Sequence, residues 1–490
     1  MSFLSLNRIS YAQGIKRWNS TSSTLRWKRS KKLRKEDLHS PEFILFQSLG
    51  CPRNFVDTEV MMGLVLQKGY EVTSDLGNAD YIVLNTCGFL ESAREESKAE
   101  IRELIQKRKD GSKLIVTGCM VNLHRDQILH DFPEVHRVLS AGSVDKILDA
   151  LTTTRDIDND QKEILDVGVQ RRSYLESGEV PRSLGTPPHY AYLKIAEGCR
   201  KRCSFCIIPK IKGKLQSKPV HQIVQEFRAL LECGVKEVIL IAQDLGDYGK
   251  DRFEKDGLTG LLQEILKHVN EKDIWIRLLY LYPDEITDDL ISLMEAEPRI
   301  CRYLDMPIQH ISDPILKRMK RKTNSQQIRE TISKLRLRLP GIHIRTSLMV
   351  GFPGETEEDF ELLLDFVREV KLDNVGVFSY SNEELASSFQ LDQQVSESIK
   401  QDRWDRLMQA QLEVVTEKNR EKIGTEMDVV IEGLHPDDHD IVVGRYYGQC
   451  PDIDGQVIVL ADSHPDPGKR YPARVIDFDN YDLVVELIER

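Results

Sequence analysis

The sequence predicts an α/β protein in three folded parts: an N-terminal parallel α/β sheet domain, a central (β/α)6 partial barrel and a small antiparallel β-barrel at the C-terminus. Short apolar runs alternate with amphipathic helical stretches from Phe43 to about Arg420, the pattern of parallel strands joined by helices. A polar, proline-bearing stretch at 152–188 interrupts that alternation. From Ile423 onward apolar and polar residues alternate between Gly, Pro and Asp turns, as in a small all-β unit.

Residues 1–40 read as a basic leader. Met1–Lys35 carries ten Lys or Arg and no Asp or Glu, is Ser/Thr-rich at Asn19–Thr24, and lacks the apolar run of a secretory signal. Such a composition favours a transit peptide over a nucleic-acid-binding tail, with the mitochondrion ahead of the plastid. The cytoplasm is the expected address if the leader is not a targeting signal. No apolar run approaches the roughly 20 residues of a membrane helix, so no membrane partner is expected.

Residues 41–151 repeat one pattern. FILFQSLG ends at Cys51 and leads to a helix from about Val56; YIVLNT ends at Cys87 and leads to a helix over Glu91–Lys109; KLIVTG ends at Cys119. A fourth run, Val135–Gly142, completes the sheet. Each cysteine therefore stands at the carboxyl end of a strand, where open α/β sheets bind ligands. Gly50, Gly88 and Gly118 beside them allow close backbone approach. Taken singly, each cysteine could be a small buried hydrophobe. Three thiols at the same station, 36 and 32 residues apart, point to a three-cysteine cluster site.

After the linker at 152–188, residues 189–420 restart the alternation with longer units. Strand-like runs at Tyr190–Ile195, Glu237–Asp244, Trp275–Pro283, Cys301–His310, His343–Phe352 and Asn374–Ser381 are separated by helical segments such as Lys218–Cys233, Leu258–Val269 and Thr356–Val370. Six such units predict a partial barrel whose working face lies at the strand C-termini. The first strand leads into EGCRKRCSFCIIP, Glu197–Pro209, which puts Cys199, Cys203 and Cys206 within eight residues. Three thiolates so spaced can wrap one face of a cuboidal iron-sulfur cluster and leave one iron without a protein ligand. Zinc would ask for a fourth ligand, and none stands nearby at a zinc-site spacing. Gln243 and Asp244, Gln309 and His310, Arg345, then Gly351, Pro353, Gly354 and Glu355 gather at the strand ends, with Gln243, Gln309, Arg345 and Glu355 the expected cofactor-binding residues. Lys212, Lys214 and Lys218 are either a solvated basic patch or carboxylate-binding groups. No catalytic side chain is assigned beyond the cluster ligands.

EGCRKRCSFCIIP resembles the C-x3-C-x2-C loop of the radical S-adenosylmethionine superfamily, and the upstream three-cysteine domain resembles that of the methylthiotransferases. SLGCPRNFVDTE, LNTCGF, TGC, LIAQD, LDMPIQH, GFPGET and FSYSNEE together are similar to the RimO type, the ribosomal protein aspartate methylthiotransferases, from about Phe43 to the C-terminus. The tRNA-modifying MiaB type usually differs at the GCPRN, AQD and PIQH positions. The resemblance implies two 4Fe-4S clusters, on Cys199, Cys203 and Cys206 and on Cys51, Cys87 and Cys119, with S-adenosyl-L-methionine as cofactor. It also implies methylthiolation at the β-carbon of an aspartate in the small-subunit ribosomal protein of the decoding centre, and it names no electron donor. A tRNA substrate, or a non-enzymatic iron-sulfur scaffold, is the alternative. RimO sequences generally carry arginine where Lys212 and Lys218 stand; lysine keeps the charge and loses the bidentate fork.

Asp392–Arg420 reads as a long charged helix, and residues 421–490 as a five-stranded antiparallel barrel resembling the TRAM domain. This last part holds sixteen acidic and six basic residues, a net of −10. So acidic a barrel disfavours tRNA and favours a basic protein partner such as a small-subunit ribosomal protein. Cys233, Cys301 and Cys450 lack partners at ligand spacing and are expected to be packing residues.

Overall fold

Strands that read as unbroken apolar runs must be covered on both faces, and the first sheet is built that way. The computed structural model of the protein describes residues 42–152, 173–176, 181–461 and 464–488. The expected leader, 1–40, and much of the expected linker lie outside these residues. The described residues form two compact units: those up to Arg200 together with Ile207–Cys233, and Lys201–Cys206 together with those from Gly234 onward.

In the first unit β1 (Phe43–Ser48), β2 (Glu71–Val72), β3 (Tyr81–Thr86), β4 (Lys113–Gly118) and β5 (Val135–Ser140) form a sheet of order β2-β1-β3-β4-β5, every pairing parallel. Alternate residues face opposite cores. Ile44, Phe46, Val83, Ile115 and Leu139 pack with Val60, Met61 and Val65 of the helix Pro52–Gln67, while Leu45, Ile82, Leu84, Leu114 and Val116 pack with Ile101, Leu104 and Ile128 from the opposite face. That first helix begins four residues before the expected Val56, because Pro52 supplies the preset φ of a first helical turn.

Part of the expected linker is core instead. Arg182 is buried and paired with the fully buried Glu59, whose other oxygen accepts from the Gly185 backbone N–H at 2.8 Å. A polar composition concealed this, because each charge is cancelled by a partner distant in sequence. The unit also holds β6 (Tyr190–Lys194), first of the second series of strands, and β7 (Ala196–Glu197), which pairs antiparallel with β8 (Gln216–Ser217).

The second unit carries the remaining five parallel strands: β9 (Glu237–Ile241), β10 (Trp275–Leu278), β11 (Ile300–Asp305), β12 (His343–Val350) and β13 (Asn374–Ser379), adjacent in that order with helices between them. The long charged helix runs from Glu397 to Lys422, starting later than expected because Gln393 takes a left-handed φ of 64°. β14 (Glu426–Leu434), β15 (Val442–Arg445), β16 (Val457–Leu460), β17 (Arg470–Asp479) and β18 (Asp482–Leu487) close a barrel of order β14-β15-β16-β18-β17. The sequence predicts an antiparallel barrel, yet β16 and β18 pair in parallel. A closed ring with an odd number of strands cannot alternate direction throughout, so one parallel pair is unavoidable. Among the described residues no helix is long and apolar enough to cross a membrane.

Candidate functional site

β1, β3 and β4 are neighbours, so the residues that follow them share one edge of the first sheet. Cys51 is the N-cap of the helix Pro52–Gln67, Cys87 follows β3 directly, and Cys119 opens the helix Cys119–Asp131. The flanking glycines are required there. A Cβ on Gly50, at φ +86°, would lie 2.9 Å from the Cys87 Cβ, and one on Gly118, at φ +102°, would lie 2.3 Å from the Thr86 carbonyl oxygen. Burial, with the nearby Cys119 and Cys51, pushes the Cys87 thiol up to about 12. Burial also raises Cys119. Burial would raise Cys51 too, but the Arg53 charge, a backbone hydrogen bond from Asn54 and the Lys212 charge hold it below its ordinary value. One buried and two half-buried thiols that cannot all ionise beside one another suit a cationic group that would neutralise them.

Around them lies a buried polar network that sequence patterning missed. Asn54 donates to the Thr86 carbonyl at 3.0 Å, and its side-chain oxygen lies 3.4 Å from both the Cys119 Sγ and the Lys212 Nζ. Lys194 pairs with Asp57 and with Glu197, the latter at 2.9 Å. Lys212, 2% exposed, lies 3.4 Å from Asp57 and 3.7 Å from Glu197. Burial alone would favour a neutral Lys212, but Cys119, Glu197 and Asp57 outweigh it and keep the ammonium charged. Asn54 and Asp57 stand among apolar residues in PRNFVD, a signal for inward-facing polar groups. The three lysines separate accordingly: Lys212 is a buried carboxylate partner, Lys218 pairs with Glu226, and Lys214 is exposed to solvent.

The second cysteine set lies in a loop clasped at its base by β7 and β8. A Cβ on Gly198 would meet the Lys214 carbonyl oxygen at 2.1 Å, and the Cys199 N–H donates to the Gly213 carbonyl at 3.1 Å. Cys199 belongs to the first unit, and Cys203 and Cys206 to the second. The Cys206 N–H donates to the Cys203 carbonyl at 3.2 Å, closing a tight backbone turn. Ser204 anchors the turn by donating from Oγ to the Arg318 carbonyl at 2.8 Å and from its N–H to that of Met319 at 3.0 Å. Lys201 is held by Glu285 at 2.7 Å, Asp244 at 3.3 Å, Asp284 at 3.4 Å and Asp247 at 3.8 Å. Cys203 Sγ lies 3.6 Å from an Arg321 guanidinium nitrogen and 3.7 Å from the Tyr282 hydroxyl. The donor types, thiols at C-x3-C-x2-C spacing in a polar stretch of sequence with the Arg321 guanidinium against the Cys203 sulfur, suit an anionic iron-sulfur cluster.

The expected cofactor-binding residues are placed unevenly. Gln243 lies two residues beyond the end of β9 and is half-buried. Gln309 takes a left-handed φ of 77°, with its N–H on the Ser347 carbonyl at 2.8 Å and its own carbonyl accepting from Met349 at 2.7 Å. Arg345 is not at a strand end: it is the third residue of β12, and its guanidinium is held by Asp305 at 2.9 Å and Asp454 at 3.5 Å. Glu355 turns its carboxylate inward, accepting from the Gly351 and Phe352 N–H groups at 2.8 and 3.2 Å and from Arg403 at 2.8 Å. Burial raises it to about 7 despite those donors. These bonds brace the GFPGE loop. His310 accepts from the Ser312 N–H at 3.0 Å on Nδ1, and burial lowers it to about 3. Cys301 and Cys450 are buried as expected of packing residues, while Cys233 is only half-buried at a helix C-terminus.

Three family models match in succession: an uncharacterized protein family, UPF0004, over residues 44–140, the radical SAM superfamily over 193–367, and the TRAM domain over 423–488. Among curated proteins, the ribosomal protein uS12 methylthiotransferase RimO of Protochlamydia amoebophila is 52% identical over 453 residues, 92% of this chain and 93% of its own length. That of Trichlorobacter lovleyi is 42% identical, covering 90% of this chain and 97% of its own length. Among solved structures, the radical S-adenosylmethionine methyltransferase TsrM of Kitasatospora setae matches 69% of this chain and 72% of its own, at 16% identity and a TM-score of 0.49. With such identity over nine-tenths of its length, the chain belongs to the RimO family of ribosomal protein uS12 methylthiotransferases.

Proposed function

We infer that this protein is a radical S-adenosylmethionine methylthiotransferase acting on ribosomal protein uS12, at the β-carbon of an aspartate. The observation that carries the reading is the pair of three-cysteine stations: Cys51, Cys87 and Cys119 at the ends of three adjacent parallel strands, and Cys199, Cys203 and Cys206 in a clasped loop. Each set would hold one 4Fe-4S cluster. When bound, the clusters and S-adenosylmethionine supply the radical chemistry, the inserted sulfur and the methyl group. The chain itself contributes charge and shape. Lys212 sets a buried positive charge beside Cys119, Gly50 and Gly118 leave room between the ligand-bearing turns, and Glu355 fixes the GFPGE loop.

The acidic C-terminal part, at net −10, supports a basic protein substrate over tRNA. The composition of Met1–Lys35 supports delivery to the mitochondrion. A fusion of this leader to a fluorescent protein should then co-localise with mitochondria, and a cytoplasmic or plastid signal would refute that address.

The substrate is tested by incubating the cluster-loaded protein with recombinant uS12, S-adenosylmethionine and a reductant. Intact mass should rise by one SCH2 unit, mapped to an aspartate. A methylthio-nucleoside formed in tRNA with uS12 unchanged would overturn the assignment, and absence of S-adenosylmethionine cleavage would overturn the enzymatic reading.

A further inference from the structure

Arg321 is an arginine with no carboxylate partner among the described residues. Among the described residues it makes no ion pair; its polar contacts are the Pro307 carbonyl oxygen at 2.5 Å, the Cys203 Sγ at 3.6 Å and the ring of Tyr282, whose centroid lies 4.0 Å from its Cζ. A guanidinium pinned by a carbonyl and an aromatic face keeps its full charge available to the remaining neighbour, a sulfur. Tyr282 points at the same atom, its hydroxyl 3.7 Å from Cys203 Sγ. The Lys201 ammonium also lies against that ring, 5.1 Å from the centroid. Cations over the ring draw electron density from the phenol and make its O–H a better donor to a thiolate. Lys201 itself is neutralised by the carboxylates of Asp244, Asp247, Asp284 and Glu285, whereas Arg321 meets no carboxylate among the described residues.

We propose that Arg321 and Tyr282 are positioning residues that donate to the Cys203 thiolate and raise the reduction potential of the cluster it would hold. This rests on the reading of Cys199, Cys203 and Cys206 as cluster ligands. Hydrogen bonds to ligand sulfur and nearby positive charge stabilise the more negative, reduced cluster, and both are established determinants of iron-sulfur potentials. Cys203 is the ligand that both of these donors reach. The arrangement eases the one-electron reduction that the chemistry requires, and it fixes the direction in which one thiolate faces.

The test is potentiometric EPR on the full chain carrying both clusters, following the signal that changes when S-adenosylmethionine is added. In R321Q the ratio of reduced to oxidised cluster, read at the parent's midpoint, should fall about tenfold, equivalent to about 59 mV for a one-electron couple. R321K should recover part of the loss, and Y282F should shift the same signal the same way by less. The second cluster should not move. Unshifted signals in R321Q and Y282F at full iron content would overturn the proposal. If R321Q holds no cluster, Y282F, which removes only a hydroxyl, decides by the same criterion. A parent protein that takes up no iron at this loop would overturn the ligand assignment itself, an outcome distinct from an unshifted potential.

Discussion

Lys194, Lys212, Asp57 and Glu197 bring two ammonium groups and two carboxylates into an interior where each is at most 4% exposed. Charges so placed are tolerable only as a balanced set, because an unpaired member retains its desolvation penalty. Lys212→Met should therefore lower stability by about 3–5 kcal/mol in urea denaturation, and Lys212→Arg by far less. Asp244 offers a test of charge by pH. Burial raises its carboxyl to about 6, with Lys201 opposing and Asp247 and Glu285 reinforcing the shift. A carboxyl whose folded pKa is raised binds its proton more tightly in the folded state. Its stabilising contribution is thus complete below the unfolded value of about 3.9 and is lost as pH rises through about 6. Asp244→Asn should flatten the stability profile between those limits, and an unchanged slope in denaturation midpoints would contradict the assignment.

The strand-to-helix turn is the element that makes the first station. Each of its three turns places a cysteine against a glycine, and Gly50 shows the constraint most plainly, with a left-handed φ and no space for a Cβ beside Cys87. Gly50→Ala should cost at least about 1–2 kcal/mol from the left-handed backbone alone. It should also reduce iron at the Cys51, Cys87 and Cys119 station while S-adenosylmethionine cleavage persists. Iron content and cleavage assayed on the same sample separate these effects. These turns were legible in sequence because a strand that ends in Gly-Cys or Cys-Gly needs no partner to be recognised. Arg321 and Tyr282 were not, since neither carries a motif and each meets Cys203 across about 80 or more residues of chain.

Across the second unit, the C-terminal barrel is joined to the parallel strands by buried charges. Arg445 pairs with Glu237 of β9 at 2.9 Å, Arg277 of β10 pairs with the same carboxylate at 2.6 Å, and Asp454 accepts from Tyr303 of β11 at 2.7 Å. Arg445→Met should lower stability by about 3–5 kcal/mol, and a double-mutant cycle with Glu237→Gln should show coupling, because the first change strips the buried Glu237 of one partner. The barrel's exposed acidic residues would steer a basic substrate at longer range. Replacing Asp437, Asp438 and Asp440, all exposed on the turn after β14, with Asn should slow association with uS12 by about tenfold at low ionic strength and have no effect at high salt.

The sequence by itself determined the fold class, both cysteine stations and the acidic character of the last domain, because strand periodicity, ligand spacing and net charge are local or additive properties of the chain. Only the tertiary structure decided that Arg345 joins Asp305 to Asp454, that Glu355 serves its own loop, that Arg182 of the expected linker is core, and that Lys212 is buried against Asp57. Each of these depends on which distant residue cancels a buried charge or satisfies a donor, and that pairing exists only once the chain has folded.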